Sequence, residues 1–128
     1  MQGKPVGWFE IYVDDMERAK GFYEAVFERR LEPLGNPNPQ EDVEMWAFPG
    51  GMDSGVGVSG VLARMDGASP GVGGTLVYFM CADCANESAR AAASGGRAVR
   101  DKFAIGEYGF AALVHDTEGN LIGLHSMR

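Results

Sequence analysis

The chain has 128 residues, 45% of them hydrophobic and 23% charged, which suits a single domain over residues 1–128 that folds without disulfides or metals. Its formal net charge is −7 and its basic residues are scattered, so nucleic acid is not an expected partner. No apolar run approaches the roughly 20 residues that cross a bilayer, and the N-terminus lacks a signal-peptide core, so we expect a cytoplasmic protein with no membrane partner.

The first predicted strand runs from Trp8 to Val13 and alternates in side-chain character with a period of two. One face of it is apolar and carries Phe9, Ile11 and Val13. The opposite face carries Trp8, Glu10 and Tyr12. A one-residue slip would exchange these faces, so the register is well specified.

A helix is predicted directly after this strand, with Asp14 or Asp15 as its N-cap. Its apolar residues recur at the spacing of a core-facing stripe, formed by Ala19, Phe22, Tyr23, Val26 and Phe27. We therefore expect the helix to pack on the apolar face of the strand, which leaves the Glu10 face uncovered.

Three further strands are predicted in the first half, at Leu31–Leu34, around Val43–Phe48 and around Gly57–Met65. A Pro/Gly-rich stretch over residues 67–74 is predicted to link the two halves. The first half is therefore a βαβββ module of about residues 6–66.

The second half, about residues 75–128, repeats this plan. Leu76 stands 68 residues after Trp8 and again belongs to an alternating strand, Thr75–Cys81, followed by a helix with Asp83 as its N-cap. Strands are predicted at Arg97–Asp101, Tyr108–His115 and Leu121–Met127, the last two joined by a turn over residues 116–120. The second half is thus also a βαβββ module.

Two βαβββ halves, with Val-Asp-Asp-Met-Glu-Arg-Ala-Lys-Gly-Phe-Tyr after the first strand and Asp-Thr-Glu-Gly-Asn before the last, resemble the vicinal oxygen chelate superfamily. That superfamily includes glyoxalase I, the bleomycin and fosfomycin resistance proteins and the extradiol dioxygenases. The likeness implies an α+β fold in which two βαβββ modules form a curved mixed sheet around a cleft, with the helices outside. It also implies which residues face the cleft: Trp8, Glu10, Tyr12, Leu76, Tyr78, Gly123 and His125.

The resemblance also locates the metal ligands of the superfamily. Metal-binding members carry a histidine seven residues before the helix-capping aspartate of a half and a carboxylate three residues after the asparagine of the last turn. Trp8, Leu76 and Gly123 stand at these positions, and Gly60 is expected at the fourth. Because a catalytic ion needs about three protein ligands, we expect no metal and no other cofactor, with a relocated divalent ion as the alternative.

Glu10 and His125 are the candidate catalytic residues, since each lies two residues from an expected ligand position. A carboxylate and an imidazole can act together as a general base, or as two ligands of a relocated ion. The alternative is a hydrogen-bonded polar pair that helps to close the sheet.

Aromatic residues predict a ligand-binding surface. Trp8, Tyr12, Tyr78 and Phe110 would suit a flat or apolar ligand if they line the cleft. Glu107 and Tyr108 belong to a Gly-flanked turn that could cover its mouth. The alternative is a core filled by these same rings.

Cys81 and Cys84 form a Cys-x-x-Cys at the end of a strand and the start of a helix. Redox and zinc sites are the functional interpretations, and two reduced core thiols are the alternative that the apolar setting favours.

These features predict a small-molecule-binding protein of the glyoxalase and bleomycin-resistance type without the usual metal site. The competing hypothesis is an enzyme, a glyoxalase-like lyase or isomerase or a dioxygenase, that uses Glu10 and His125. A third is an interaction module, and we expect a homodimer.

Overall fold

The computed structural model describes residues 4–36, 40–50 and 57–128. The chain forms two compact units. One is Trp8–Thr75, called here the first module, and the other is Leu76–Arg128 with the segment that ends at Gly7, called the second module. Neither helix in the described part of the chain is long and apolar enough to cross a membrane.

The elements of the first half are β1 (Val6–Tyr12), α1 (Met16–Phe27), β2 (Glu32–Leu34), β3 (Val43–Ala47) and β4 (Ser59–Met65). Those of the second half are β5 (Thr75–Met80), α2 (Cys84–Ala93), β6 (Arg97–Ala104), a 3-10 turn (Gly106–Tyr108), β7 (Phe110–His115) and β8 (Leu121–Ser126). The predicted α+β fold of two βαβββ modules is therefore confirmed.

The sheet of the first module has the order β2-β3-β4-β1, in which only the β1–β4 pair is parallel. Helix α1 begins after Asp15, whose carboxylate accepts a hydrogen bond from the N–H of Arg18 at 3.0 Å. The helix covers a core of Val13, Met16, Leu31 and Leu62, against which Ile11 also packs. This confirms that the apolar face of β1 lies under the helix.

The predicted stripe of α1 is correct at Ala19 and Tyr23, which pack against this core. It is wrong at Phe22, Val26 and Phe27, whose exposed fractions are 59%, 53% and 59%. The Phe22 ring meets the Tyr23 ring edge-on, with the centroids 5.1 Å apart, and the Phe27 ring is stacked with it at 6.3 Å. Helical periodicity identifies an apolar face, but it does not tell how much of that face the sheet covers.

The second module has the sheet order β5-β8-β7-β6, with β5 and β8 parallel. Helix α2 packs over Cys84, Ala112, Val114 and Leu124. Asp83 caps it by accepting from the N–H of Ala85 at 3.1 Å. The same carboxylate accepts from the Lys102 ammonium at 2.9 Å, and this contact is the main reason why the pKa of Asp83 is lowered.

The turn between β7 and β8 is closed by Asp116. Its carboxylate accepts hydrogen bonds from the backbone N–H groups of Glu118 and Asn120 and from the Asn120 side chain. These bonds, led by the Asn120 amide, lower the pKa of Asp116. The hairpin turn predicted from residues 116–120 is confirmed.

Candidate functional site

Glu10 lies within β1, on the face that α1 does not cover. Its side chain is largely buried, with an exposed fraction of 9%. Oε1 accepts from the Tyr12 hydroxyl at 2.8 Å, and Oε2 accepts from the Trp8 indole Nε1 at 3.3 Å. The alternation of β1 therefore brings Trp8, Glu10 and Tyr12 together, as predicted. The two donors hold the carboxylate in one orientation.

His125 lies near the end of β8. Its Nε2 is 2.6 Å from the backbone carbonyl oxygen of Tyr108. Because a carbonyl only accepts, Nε2 must carry the proton, and in the neutral imidazole Nδ1 is the basic nitrogen. Glu10 belongs to the first module and His125 to the second, and the pairing of these two side chains stays a prediction.

The two modules repeat each other in register. Glu10 pairs with Val61 across β1 and β4, and Tyr78, 68 residues after Glu10, pairs with Gly123 across β5 and β8. The structural counterpart of Gly123 is therefore Val61. Gly60 pairs instead with Phe9, and a Cβ on it would lie 2.5 Å from the Phe9 ring.

The placement of Gly60 at the fourth ligand position is therefore wrong by one residue. Val61 has no coordinating atom in its side chain either. A Cβ on Gly123 would overlap the Tyr78 ring, so this ring occupies the space into which a ligand side chain would project. In the described part of the chain no three His, Cys, Asp or Glu side chains group as metal ligands do.

The predicted ligand-binding role of Phe110 conflicts with its position. Phe110 packs against the cluster under α2, on the same alternate positions as Ala112 and Val114. The Lys102 ammonium also lies 4.6 Å from its ring centroid. Tyr78 pairs with Gly123 and His125 pairs with Ala111, so Tyr78 and His125 belong to the opposite face of the sheet. Phe110 therefore belongs to the helix-side core.

Glu107 and Tyr108 form the 3-10 turn before β7, which starts at Phe110 and not at Tyr108 as predicted. Glu107 is exposed and Tyr108 is half-buried. The strand is interrupted because Gly109 has φ 94° and ψ −124°, a conformation essentially restricted to glycine. The contact that this turn makes with His125 comes from the Tyr108 backbone.

Sequence reasoning missed Arg100 and Phe103 on β6. The Arg100 guanidinium carbon lies 3.6 Å from the Phe103 ring centroid. In a regular strand residues three apart point to opposite faces, so no alternation rule would have paired them. The only available signal is their proximity in sequence.

The two cysteines occupy the helix-side core of the second module. Cys84 is fully buried, and its N–H donates to the Ser126 hydroxyl at 3.0 Å. Burial, and next the charge of Glu87, raise the pKa of Cys81 to about 11. A redox-active thiol requires a shift in the other direction, so the core-thiol interpretation is favoured.

Both thiols are expected to react slowly with Ellman's reagent at neutral pH, Cys84 because it is fully buried and Cys81 because its raised pKa leaves little of the reactive thiolate. The rate for Cys81 should rise as the pH approaches its pKa of about 11. Unfolded protein supplies the control, in which both thiols react promptly. Rapid labelling of the native protein at neutral pH would contradict the assignment.

Two depressions lie beside α1 in the first module. One of about 300 Å³ is lined by residues that include Tyr12, Asp15, Arg18 and Gly74. The other, of about 340 Å³, is lined by residues that include Phe9, Tyr23, Phe27 and Phe48. Among the predicted site residues only Tyr12 borders either of them, so they do not coincide with the Glu10 group.

No family model matches the chain, and no curated relative does. Solved structures do match. Methylmalonyl-CoA epimerase from Mycobacterium tuberculosis is 15% identical and has a TM-score of 0.67, over 97% of this chain and 88% of that one. The chain has the vicinal oxygen chelate fold, which this epimerase also has. At such identity the likeness concerns the fold alone.

Two further solved structures match the chain over nearly its whole length. A methylmalonyl-CoA epimerase in complex with methylmalonyl-CoA and NH4+ is 17% identical, with a TM-score of 0.65 over 95% of this chain and 93% of that one. A hypothetical protein from Bacillus halodurans C-125 is 12% identical, with a TM-score of 0.69 over 96% and 94%.

Proposed function

We propose that this chain binds a small molecule on the β1 face that carries Trp8, Glu10 and Tyr12. The observation that carries the proposal is the Glu10 carboxylate, which is 9% exposed and held by an indole N–H and a phenol hydroxyl. Burying a carboxylate is costly unless it is well hydrogen-bonded. A few fixed polar groups among aromatic rings are typical of ligand sites.

Acyl-CoA thioesters are the first ligand class to test. The support is the likeness in fold to the epimerase that was solved with methylmalonyl-CoA. A carboxylate held between two aromatic donors can accept a hydrogen bond from such a ligand, while the indole and phenol rings contact its apolar part. No bound metal or cofactor is needed for this role.

Calorimetric titration with methylmalonyl-CoA, propionyl-CoA and a panel of planar apolar compounds tests the proposal. At least one compound should bind the wild type, and Glu10→Gln should weaken that binding about 10-fold, because a charge-assisted hydrogen bond is lost. Asp66→Asn is the matched control, since Asp66 is exposed after β4. Equal affinity in the wild type and both variants would contradict the role of Glu10.

A glyoxalase-like isomerase or lyase is the second candidate function. It is favoured by the tautomer of His125, whose Nε2–H bonds to the Tyr108 carbonyl and leaves Nδ1 as a base. Glu10 offers a second oriented base. Exchange of the proton next to the thioester carbonyl with deuterated solvent, followed by NMR, separates this function from binding alone.

The expected homodimer is part of the proposal. Phe22, Val26 and Phe27 supply exposed apolar surface on α1 that a second copy would cover.

A further inference from the structure

An apolar pocket lies at the end of helix α1, on the face of β1 opposite Glu10. It has a volume of about 340 Å³ and belongs entirely to the first module. Phe9, Ile11 and Phe48 line it and are only half-buried, although they lie on the helix side of the sheet. Ligand pockets in proteins begin at about 300 Å³, so a small molecule has room here. We call this space the helix-end pocket.

Four aromatic rings form a continuous row along the helix-end pocket. The centroid of the Phe48 ring lies 5.7 Å from that of Phe9 and 5.7 Å from that of Tyr23. The Tyr23 ring is in turn stacked with Phe27 at 6.3 Å. A Cβ on Gly60 would lie 2.5 Å from the Phe9 ring, so the missing side chain of this glycine leaves the ring its place. Rings that support one another in this way offer preformed faces and edges to a flat apolar ligand.

A single cation borders this aromatic row. Among the described residues that line the pocket, only Arg29 is charged. It belongs to the turn after α1, in which Glu28 has a left-handed conformation with φ 54°. The Glu24 carboxylate accepts from the N–H of Leu31 at 2.8 Å and so holds this turn against the helix. No carboxylate in the described part of the chain pairs with the Arg29 guanidinium, which leaves its donors to a solute.

We propose that the helix-end pocket binds a small aromatic carboxylate. The ring system of the ligand contacts the four aromatic side chains, and its carboxylate accepts hydrogen bonds from Arg29. The forked donors of a guanidinium match the two oxygens of a carboxylate, which gives the charged end of the ligand its position. This site is separate from the one proposed around Glu10, because the two lie on opposite faces of β1.

Two pairs of variants separate the pocket from the surface around it. Arg29→Gln removes the lining cation, and Arg30→Gln removes the same charge from the next residue, which is also exposed but does not line the pocket. Phe27→Ala removes a lining ring. Phe22→Ala removes a ring that has the same exposed fraction of 59% and also contacts Tyr23, but lies outside the pocket.

NMR titration of ¹⁵N-labelled protein with 2-naphthoate and with its uncharged analogue 2-naphthamide tests the proposal. 2-Naphthoate should shift the backbone amide signals of Leu31 and Phe48 saturably and should bind about 5-fold more tightly than 2-naphthamide, as expected for contact with an exposed cation. This preference should vanish in Arg29→Gln and persist in Arg30→Gln. Phe27→Ala should weaken both probes about 10-fold, whereas Phe22→Ala should weaken neither. Octanoate, a carboxylate on an alkyl chain, should bind more weakly than 2-naphthoate.

Three results would overturn this inference. The first is 2-naphthoate that shifts only the signals of Trp8 and Glu10, or none. The second is a preference for 2-naphthoate over 2-naphthamide that survives in Arg29→Gln. The third is occupation of the pocket by a second copy of the chain: dilution of the protein would then shift the pocket signals, and Phe22→Ala and Phe27→Ala would abolish that dependence alike, with no response to 2-naphthoate.

Discussion

Replacing Gly109 with alanine is expected to lower the free energy of unfolding by about 3 to 5 kcal/mol. Two effects add up. Gly109 has φ 94° and ψ −124°, a backbone conformation that residues with a side chain rarely adopt. A Cβ at this position would also overlap the carbonyl oxygen of Ser126 and lie 2.9 Å from the Cα of Met127. Ser126 is the last residue of β8 and Met127 follows it, so these backbone atoms can move away only if the strand itself moves.

Gly119→Ala is the matched control for Gly109→Ala. Gly119 also has a positive φ, 85°, but a Cβ there meets no atom within 4 Å. Gly119→Ala should therefore lower the free energy of unfolding by only about 1 kcal/mol, through backbone strain. Urea denaturation measures both variants, and equal losses would show that contact with β8 contributes nothing.

The same Gly109 variant should disturb His125, because the turn that Gly109 ends supplies the Tyr108 carbonyl to Nε2. The Ile105 N–H donates to the Gly109 carbonyl at 2.9 Å, which fixes this turn on itself. A changed NMR signal of the His125 Nε2 proton would report the disturbance, whereas Gly119→Ala should leave that signal unchanged.

Removing the Tyr12 hydroxyl is the second substitution expected to have a large effect. Tyr12→Phe keeps the ring but takes a donor away from the buried Glu10 carboxylate, 2.8 Å from the hydroxyl. We expect the free energy of unfolding to fall by about 1.5 to 3 kcal/mol, the value for hydrogen bonds to charged groups.

A double-mutant cycle isolates this contact. In a Glu10→Leu background, Tyr12→Phe should cost less than in the wild type, since the contact between the hydroxyl and the carboxylate is already gone. Chemical denaturation of the wild type, the two single variants and the double variant gives the coupling energy. A coupling near zero would mean that the carboxylate does not depend on the hydroxyl.

Local sequence patterns predicted the fold well, because each element carries its own signal. The alternation of β1 placed Glu10 on the face opposite the helix, and the helix caps at Asp15 and Asp83 and the turn at Asp116 form as expected. These features depend on residues within a few positions of one another. The resemblance to the vicinal oxygen chelate superfamily then supplied the expectation of a mixed sheet with the helices outside.

The predictions failed where tertiary packing, and not the local sequence, determines which side chains are buried. Phe22 and Phe27 follow the helical period yet remain exposed, since the periodicity does not show where the underlying core ends. Phe110 was placed on the wrong face because Gly109 starts the strand anew after the 3-10 turn. Arg100 was missed because two shifts in register turn it towards Phe103, and no sequence period encodes a bulge.

Some positions of the superfamily's metal ligands were predicted correctly and one was not. Trp8, whose indole donates to Glu10, and Gly123, beneath the Tyr78 ring, follow from counting between nearby motifs. Val61, the counterpart of Gly123, was missed by one residue. An error of one position in a strand exchanges its two faces.

Fluorescence titration with Trp8 as the only indole tests the ligand-binding proposal most directly. The variant Trp46→Phe leaves Trp8 beside Glu10, and Trp8→Phe leaves only Trp46, which lies under the Lys20 ammonium on the helix side. Saturable quenching by methylmalonyl-CoA or another ligand of the panel in the first variant, with none in the second, is the predicted result. A ligand that binds by calorimetry yet leaves Trp8 emission unchanged would contradict a site on the β1 face.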